Sequence, residues 1–170
     1  MRALDLTSFT AQPFFQFDKN WFLVTAGDFK KKWNTMTISW GFMGTMWGKP
    51  VVVIVIRPSR YTREFLDAQT DFTLSAFPKS YQNALTILGT KSGRDGNKVK
   101  EANLTPISAP TIKAPTFAEA NITLECRSLY RQPMQKDCFL DEEPFKKWYS
   151  DPNDLHITYI AEVLGVWEKE

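Results

Sequence analysis

The chain has 170 residues, which is enough for one hydrophobic core and too few for two ordinary domains, so we expect residues 1–170 to form a single domain. A formal net charge of +2 argues against a nucleic-acid-binding protein, because such domains carry a strong excess of basic residues. The two cysteines, Cys126 and Cys138, form no CxxC pair and have no histidine nearby, which argues against a metal centre and against a disulfide framework.

The amino-terminal residues, MRALDLTSFTAQ, lack the apolar stretch of a signal peptide. The longest unbroken apolar run is VVVIVI, and its six residues are far too few to cross a bilayer. We therefore expect a cytoplasmic protein that has no membrane partner and whose cysteines are free thiols.

The first half of the chain predicts three strands and one helix. Residues 21–28 and 32–40 are rich in aromatic and β-branched residues and lie within hairpin distance of each other. Residues 51–58 are apolar at successive positions, as in a strand that is buried on both faces. Residues 59–70 then predict a short helix, with Ser59 or Thr62 as its cap.

The second half predicts three more strands, at residues 71–77, 121–132 and 155–168, and a helix at residues 80–90. The first of these strands alternates apolar and polar residues and should be half-buried, and the last should kink at Gly165. The remaining segments are a Gly-rich turn with a short helix (91–104), a Pro-rich loop (106–117) and an acidic loop (141–154). About six strands without regular helix alternation predict a mainly β protein, an antiparallel barrel with peripheral helices.

The segment NTMTISWGFMGTMWGKP, residues 34–50, mixes tryptophan and methionine with small polar residues. Asn34, Thr37 and Ser39 offer amide and hydroxyl groups beside Trp40. Small-molecule sites are mostly apolar with a few placed polar groups, and a flavin ring requires that mixture. We expect this segment to wrap a flat ligand; the alternative is a strand and turn packed in an aromatic core.

Arginine and hydroxyl side chains are interleaved where the buried strand at 51–58 turns into a helix. The candidates are Arg57, Ser59, Arg60, Tyr61 and Thr62. Unpaired backbone N–H groups at a helix start attract phosphate, and arginine adds paired hydrogen bonds. The pattern suits a phosphate site, although a capped helix with surface arginines has the same composition.

Two further candidates lie later in the chain. The loop SGRDGNK runs from Ser92 to Lys98 and can approach a ligand closely because of its glycines, or it is a surface turn. His156 is the only histidine, and it is either a structural residue or the one side chain that titrates near neutral pH. No motif of nucleophilic catalysis or metal ligation accompanies it.

Five segments in this order resemble the flavin-reductase-like family, and its flavoredoxin branch in particular. They are NTMTISWG, IRPSRYT, DFTLSAFP, SGRDGNK and the pair formed by His156 and YIAEVLGV, and together they extend from about residue 33 to residue 166. The resemblance implies an antiparallel, Greek-key-like split β-barrel that binds FMN non-covalently and forms a homodimer. It also implies electron transfer between NADH or NADPH, the flavin and an acceptor, which is free flavin or a partner protein.

The same resemblance assigns roles to the candidate residues. Thr37, Ser39 and Trp40 contact the isoalloxazine and ribityl parts within the segment that starts at Asn34. The phosphate is surrounded by Arg57, Ser59, Arg60, Tyr61 and Thr62, while Ser92 and Lys98 reach the flavin from the next loop. His156 is placed at the ring side as the catalytic candidate, near the docking position of a nicotinamide, and Trp167 is a further aromatic candidate.

Two departures from the family pattern concern the last strand. Many relatives have glycine at the position of Ala161, and a Gly-Asp-His run where this chain has Asp-Leu-His. The sequence thus supports flavin binding better than use of a pyridine nucleotide. The leading hypothesis is an FMN-binding oxidoreductase. The alternatives are an FMN electron carrier without NAD(P)H activity and a cofactor-free β-barrel interaction module.

Overall fold

The computed structural model describes all residues, 1–170, as ten strands and five helices. The strands are β1 (Arg2–Leu4), β2 (Phe22–Gly27), β3 (Trp33–Ile38), β4 (Gly41–Met46), β5 (Lys49–Ile56), β6 (Asp71–Ala76), β7 (Pro106–Ser108), β8 (Pro115–Phe117), β9 (Ile122–Pro133) and β10 (Ile157–Glu168). The α-helices are α1 (Pro13–Phe15), α2 (Thr62–Ala68), α3 (Gln82–Thr90), α4 (Lys98–Glu101) and α5 (Glu142–Trp148). A π-helical turn covers Gln16–Asn20, and 3₁₀ turns cover Lys79–Tyr81 and Lys136–Cys138.

Eight strands form one antiparallel sheet in the order β3-β2-β6-β9-β10-β5-β4, with β1 paired to β10. The prediction of a mainly antiparallel β fold with peripheral helices is confirmed. The predicted count of six strands is wrong, because β1, β4 and the two-stranded ribbon of β7 and β8 were not foreseen. Three of these four strands have only three residues, and two of them begin with proline, so they lack a strand-length pattern.

The sheet curls around one core, to which β2, β3, β5, β6, β9 and β10 all contribute buried side chains. Its two end strands, β3 and β4, follow each other in the chain and are joined only by Ser39 and Trp40. They are not paired with each other, so the curled sheet stays open along one side. That opening lies between β3 and β5 and positions the site described below.

A second core lies outside the curled sheet, where α3 packs against it. Leu85 and Leu88 of α3 are buried together with Leu23 and Phe117. Strand β6 is buried on both faces, so the predicted half-exposed pattern is wrong. The ribbon of β7 and β8 covers its polar face, and Thr73 donates a hydrogen bond to the Pro115 carbonyl there.

Two smaller predictions have different outcomes. The kink at Gly165 is confirmed, because the pairing of β10 with β9 shifts register between Val163 and Gly165. The predicted capping of α2 by Ser59 or Thr62 is wrong, because no side chain caps this helix. None of the five helices is long and apolar enough to cross a membrane.

Candidate functional site

A cleft of about 280 Å³ occupies the open side of the sheet. Strand β3 and the link after it form one wall, strand β5 and the start of β10 form the other, and α3 and α5 each contribute one residue. The lining residues are Met36, Thr37, Ile38, Ser39, Trp40, Val55, Arg57, Arg60, Gly89, Trp148 and His156. The cleft is therefore mixed in character, with apolar walls and a few hydroxyl, guanidinium and imidazole groups.

A second, smaller cavity of about 80 Å³ adjoins the cleft, and the two share Met36 and Arg60. Its other lining residues are Asn34, Ser59, Tyr61, Thr90, Lys91, Ser92, Gly93 and Lys98. Of the twelve residues predicted as site residues, all except Thr62 line one of the two cavities. The structure thus brings together four sequence segments that lie up to 122 residues apart (34 to 156).

Thr62 supports the small cavity from behind and does not line it. It is buried, and its hydroxyl accepts a hydrogen bond of 2.8 Å from the Asn34 amide. Gly93 packs directly on the same amide, since a Cβ atom at position 93 would lie 2.1 Å from Asn34 Oδ1. The amide is therefore clamped between helix α2 and the 92–98 loop, which sets the distance between them.

Two cations, Arg60 and Lys98, point at the small cavity and have no carboxylate partner of their own. Lys98 is buried and donates hydrogen bonds of 3.0 Å to the carbonyls of Leu88 and Lys91, and Arg60 donates to the carbonyl of Gly89. Burial, with a smaller contribution from Arg60, lowers the pKa of Lys98 to about 8, and burial lowers the pKa of Arg60 as well. A buried lysine and a half-buried arginine at one cavity make it a favourable place for an anion.

Backbone N–H groups add to this positive character. The N–H groups of Tyr61, Ser92 and Gly93 donate to no other atom of the chain. These three residues are half-buried and line one small cavity, so their N–H groups are available to an external acceptor. Arg94, which sequence reasoning did not single out, lies over the Tyr61 ring at 4.5 Å and forms an ion pair with Glu64.

Arg57 and Ser59, predicted as phosphate ligands, have partners within the chain. The Asp154 carboxylate accepts hydrogen bonds of 2.9 Å from both the N–H and the hydroxyl of Ser59 and lies 3.6 Å from the Arg57 guanidinium. Arg57 also donates to the Trp148 carbonyl at 2.7 Å. Both residues thus fasten residues 141–154, which we call the α5 segment. Their contact with a phosphate stays a prediction and would compete with these bonds.

Aromatic side chains surround His156 at the other end of the cleft. The rings of Trp40 and Trp148 meet edge to face at 4.9 Å, and the Trp40 ring lies 5.1 Å from the imidazole. The Tyr149 hydroxyl lies 2.8 Å from His156 Nδ1. Burial, reinforced by the nearby Arg57 charge, lowers the pKa of His156 to about 4, so the imidazole is neutral at pH 7.

Sequence reasoning missed the contribution of the α5 segment. Trp148, Tyr149 and Asp154 were assigned to an acidic loop, although an aromatic pair within such a loop was a signal of packing against another element. The prediction that residues 34–50 wrap a ligand stays a prediction for the part beyond Trp40. Only the part up to Trp40 lines the cavities, and the rest is the β4–β5 hairpin, whose Trp47 is exposed. Trp167 lies outside both cavities and donates to Glu125.

The cysteines are separate, with Cys126 buried in the core and Cys138 exposed. Burial raises the pKa of the Cys126 thiol, which keeps it protonated and unreactive. The structure has no cluster of three or more histidine, cysteine or acidic side chains arranged to hold a metal ion.

Comparison with known proteins assigns this arrangement to a family. The model of the family described as "Flavin reductase like domain" matches residues 14–170. An uncharacterized protein of Archaeoglobus fulgidus is 26% identical over 106 residues, which cover 62% of this chain and 58% of that protein. The chain therefore spans less than two thirds of the length of this relative.

Solved structures share the fold at lower identity. The flavoredoxin of Desulfovibrio vulgaris (Miyazaki F) superposes with a TM-score of 0.68 at 20% identity, covering 100% of this chain and 78% of that one. A Shewanella frigidimarina protein with a split barrel domain gives a TM-score of 0.69 at 16% identity, covering 99% and 76%. The predicted split-barrel fold is confirmed.

Proposed function

The chain belongs to the flavin reductase-like family, and on that premise we propose that it is an FMN-binding oxidoreductase that transfers electrons between NAD(P)H, bound FMN and an acceptor. The observation that carries the proposal is that the two cavities are adjacent and share the lining residues Met36 and Arg60. A small cationic cavity joined to a larger cleft with aromatic and hydroxyl groups matches a ligand that has a phosphate at one end and a flat ring at the other.

The small cavity fits the phosphate. Arg60 and Lys98 offer positive charge, and the free N–H groups of Tyr61, Ser92 and Gly93 offer three further donors. These donors converge from two loops, and the Asn34 amide holds the loops at a fixed separation. An anion would neutralise these two cations and would also satisfy the unpaired backbone groups, so a phosphate meets both requirements of this cavity.

The larger cleft fits the ring and the ribityl chain. Met36 and Trp40 provide apolar surface, and Ser39 and the Thr37 hydroxyl provide polar groups along the wall of β3. Thr37 donates its own proton to the Leu85 carbonyl, so its oxygen is left as an acceptor for a ligand hydroxyl. His156 stands at the end of the cleft remote from Lys98, where we assign it to the ring side.

Bound FMN would supply the redox chemistry, accepting a hydride from NAD(P)H and passing electrons on to free flavin or a partner protein. The protein's own contribution is binding and electrostatics. Arg60 and Lys98 hold the phosphate, Trp40 and Trp148 limit water at the ring end, and the neutral imidazole of His156 adds no positive charge there. No side-chain nucleophile is part of the proposal.

The proposal includes a homodimer. Phe42, Val53, Ile160 and Tyr130 are in register across four neighbouring strands on the face of the sheet that turns away from the core. Phe42 is 60% exposed and Tyr130 is 43% exposed. A row of apolar side chains on an outer sheet face is typical of an interface, and a second copy of the chain is the partner we propose.

Sedimentation analysis of the variant Phe42→Asp tests the dimer. We expect a monomer, whereas Leu140→Asp, a matched change at a fully exposed position just before the α5 segment, should leave the dimer intact. A Phe42→Asp protein that sediments like the unchanged protein would exclude this face as the interface.

The visible absorption spectrum of the purified protein, followed by chromatography of what heat releases, tests flavin binding. A yellow protein that releases FMN supports the proposal, while a colourless protein that takes up no added FMN leaves the interaction-module alternative. Mixing the holo-protein with NADH and with NADPH in the absence of air then separates enzyme from carrier. Flavin that fails to bleach with either nucleotide identifies an electron carrier.

A further inference from the structure

The two nitrogens of the His156 ring have different surroundings. Nδ1 lies 2.8 Å from the Tyr149 hydroxyl, on the side of the α5 segment. Nε2 has no hydrogen-bond partner in the chain. The buried polar side-chain atoms without a partner are Arg63 Nε and Ser128 Oγ, so Nε2 is accessible to solvent. Since His156 also lines the cleft, Nε2 is the nitrogen that opens to it.

The Tyr149 hydroxyl has one proton and two acceptors within range. Nδ1 of His156 lies at 2.8 Å and Sδ of Met134 lies at 3.6 Å. A neutral imidazole nitrogen is a much stronger acceptor than a thioether sulfur. The Arg57 guanidinium lies 5.1 Å from the centre of the Tyr149 ring, and its positive charge favours donation by the phenol. The hydroxyl therefore donates to Nδ1, and the single ring proton of His156 resides on Nε2.

Packing also restricts rotation of the imidazole. The Trp40 ring lies 5.1 Å and the Tyr149 ring 5.6 Å from it. The Met134 N–H donates to the His156 carbonyl at 2.9 Å and fixes the backbone. Tyr149 itself is packed against Phe139 and Phe145, so the donor that orients the imidazole is held in place by the α5 segment.

We propose that Tyr149 is a positioning residue that holds His156 as an Nε2–H donor directed into the cleft, where it binds a carbonyl oxygen or ring nitrogen at the edge of a planar heterocycle. The identity of that heterocycle, the flavin or the nicotinamide, rests on the proposed function. The position of the proton does not, because it follows from contacts within the chain. Specificity at the ring end would then favour ligands that present an acceptor to this donor.

Nuclear magnetic resonance can test the proton position directly, because the chain has a single histidine. In a long-range ¹H–¹⁵N spectrum, Nε2 couples to both ring C–H protons and Nδ1 couples strongly to one, so the protonated nitrogen is identified without further assignment. At pH 7 we expect the proton on Nε2, with Nδ1 accepting a hydrogen bond. A proton on Nδ1 would overturn the proposal, since Tyr149 would then donate to Met134.

The variant Tyr149→Phe tests the positioning role, with Met134→Leu as the matched control that removes the competing acceptor. In Tyr149→Phe we expect the Nδ1 resonance to move to that of an unbonded nitrogen, the second tautomer to appear, and the FMN dissociation constant to rise about threefold to tenfold. Met134→Leu should change neither. Tyr149→Phe with an unaltered tautomer pattern and unaltered affinity would overturn the positioning role.

Titration of the unchanged protein with FMN keeps the two proposals separable. A shift of the Nε2–H proton resonance when FMN is added supports the donor role at the ring end. An Nε2–H resonance in a protein that binds no FMN would leave the proton assignment intact and would refute the proposed function. FMN binding that leaves this resonance unmoved would refute a contact with the flavin and would leave the proposed function intact.

Discussion

The two ends of the site are built from elements that pack very differently. At the small cavity, Arg60 and Lys98 are held by the last carbonyls of α3, and that helix contributes Leu85 and Leu88 to the second core. At the ring end, Trp148 and Tyr149 belong to the α5 segment, whose helix has no buried residue. Charge is thus placed by a packed helix, and the aromatic wall by a segment whose apolar packing is provided by aromatic side chains such as Trp148 and Tyr149.

Polar contacts with the β5–α2 loop also hold the α5 segment in place. Arg57 and Ser59 converge on Asp154, and Arg57 also reaches the Trp148 carbonyl. The side chains of Arg57 and Asp154 are only partly buried, at 28% and 21% exposed, so we expect this fastening to open more readily than the packing of α3. We therefore expect affinity to depend mainly on the small cavity, and ligand selection and access to depend mainly on the α5 segment.

The largest expected effect comes from breaking the small cavity. The double variant Arg60→Ala with Thr62→Ala should weaken FMN binding by about 100-fold or more, because it removes a charge-assisted contact and the partner of the Asn34 amide. The barrel should stay folded by circular dichroism. A control pair, Arg63→Ala with Thr70→Ala, alters the same region outside both cavities. Full flavin occupancy in the first pair would show that the phosphate site is misplaced.

At the ring end, His156 should make the protein sensitive to mild acid. Its pKa is about 4 in the folded chain and 6.5 when unperturbed, so the unfolded chain binds the proton first as pH falls. Stability is complete above pH 6.5 and declines towards pH 4, by up to about 3 kcal/mol. Urea unfolding at several pH values measures this decline. In His156→Gln the free energy of unfolding should decline by about 3 kcal/mol less over this pH range. An equal decline in both proteins would contradict the assigned pKa.

Releasing the α5 segment should distinguish the roles of the two ends of the site most clearly. Asp154→Ala removes the acceptor shared by Ser59 and Arg57, so limited proteolysis within residues 141–154 should become about tenfold faster. FMN affinity should change by less than about threefold, because Asp154 forms no hydrogen bond with Arg60, Lys98 or Asn34, and Ser59 is the one residue of the small cavity that it contacts. Asp151→Ala, in the same stretch, removes a charge and a local contact with Asn153 but no bond to Ser59 or Arg57, and serves as the control. A large loss of affinity in Asp154→Ala would refute the division of roles.

A single added methyl group beside the small cavity should weaken FMN binding without unfolding the protein. In Gly93→Ala the new Cβ would meet Asn34 Oδ1 at 2.1 Å, so the 92–98 loop must move away. We expect about a tenfold loss of FMN affinity and little change in the thermal midpoint. Gly44→Ala, where nothing lies within 4 Å of the added atom, should bind FMN normally. A Gly93→Ala protein with unchanged affinity would show that the loop position is unimportant.

The smallest expected effect is a dependence of affinity on alkaline pH. Lys98 has a pKa of about 8 without a bound anion, so above that pH it loses its charge and FMN affinity should fall severalfold by pH 9. A bound phosphate stabilises the charged form of Lys98. Loss of that charge therefore weakens phosphate binding, which again predicts a lower FMN affinity at higher pH. Fluorescence titrations of FMN should show a flat profile for Lys98→Met and the original profile for Lys100→Met, an exposed neighbour on the same helix. A decline that persists in Lys98→Met would assign it to another group.

The sequence predicted those parts of the site that depend on local pattern. The apolar run of β5 and the residues of RPSRYT identified a strand followed by a helix, and Arg60 does face the small cavity. Asp154 was not predicted as the partner of Ser59, because the two are separated by 95 positions and only the folded sheet brings them together. Strand β4 was missed for a related reason, since its exposed side chains have no core-facing periodicity.

The link formed by Ser39 and Trp40 has a consequence for ligand traffic. It joins the two unpaired end strands covalently, and beside it Gly41 is packed so tightly that a Cβ would meet Phe17 and the Val53 carbonyl at 2.5 and 2.6 Å. The covalent link and this tight packing restrict how far this end of the opening can widen. Trp148 of the α5 segment lines the cleft on another side, so we expect the residence time of a bound molecule to depend on how often that segment releases Ser59 and Arg57.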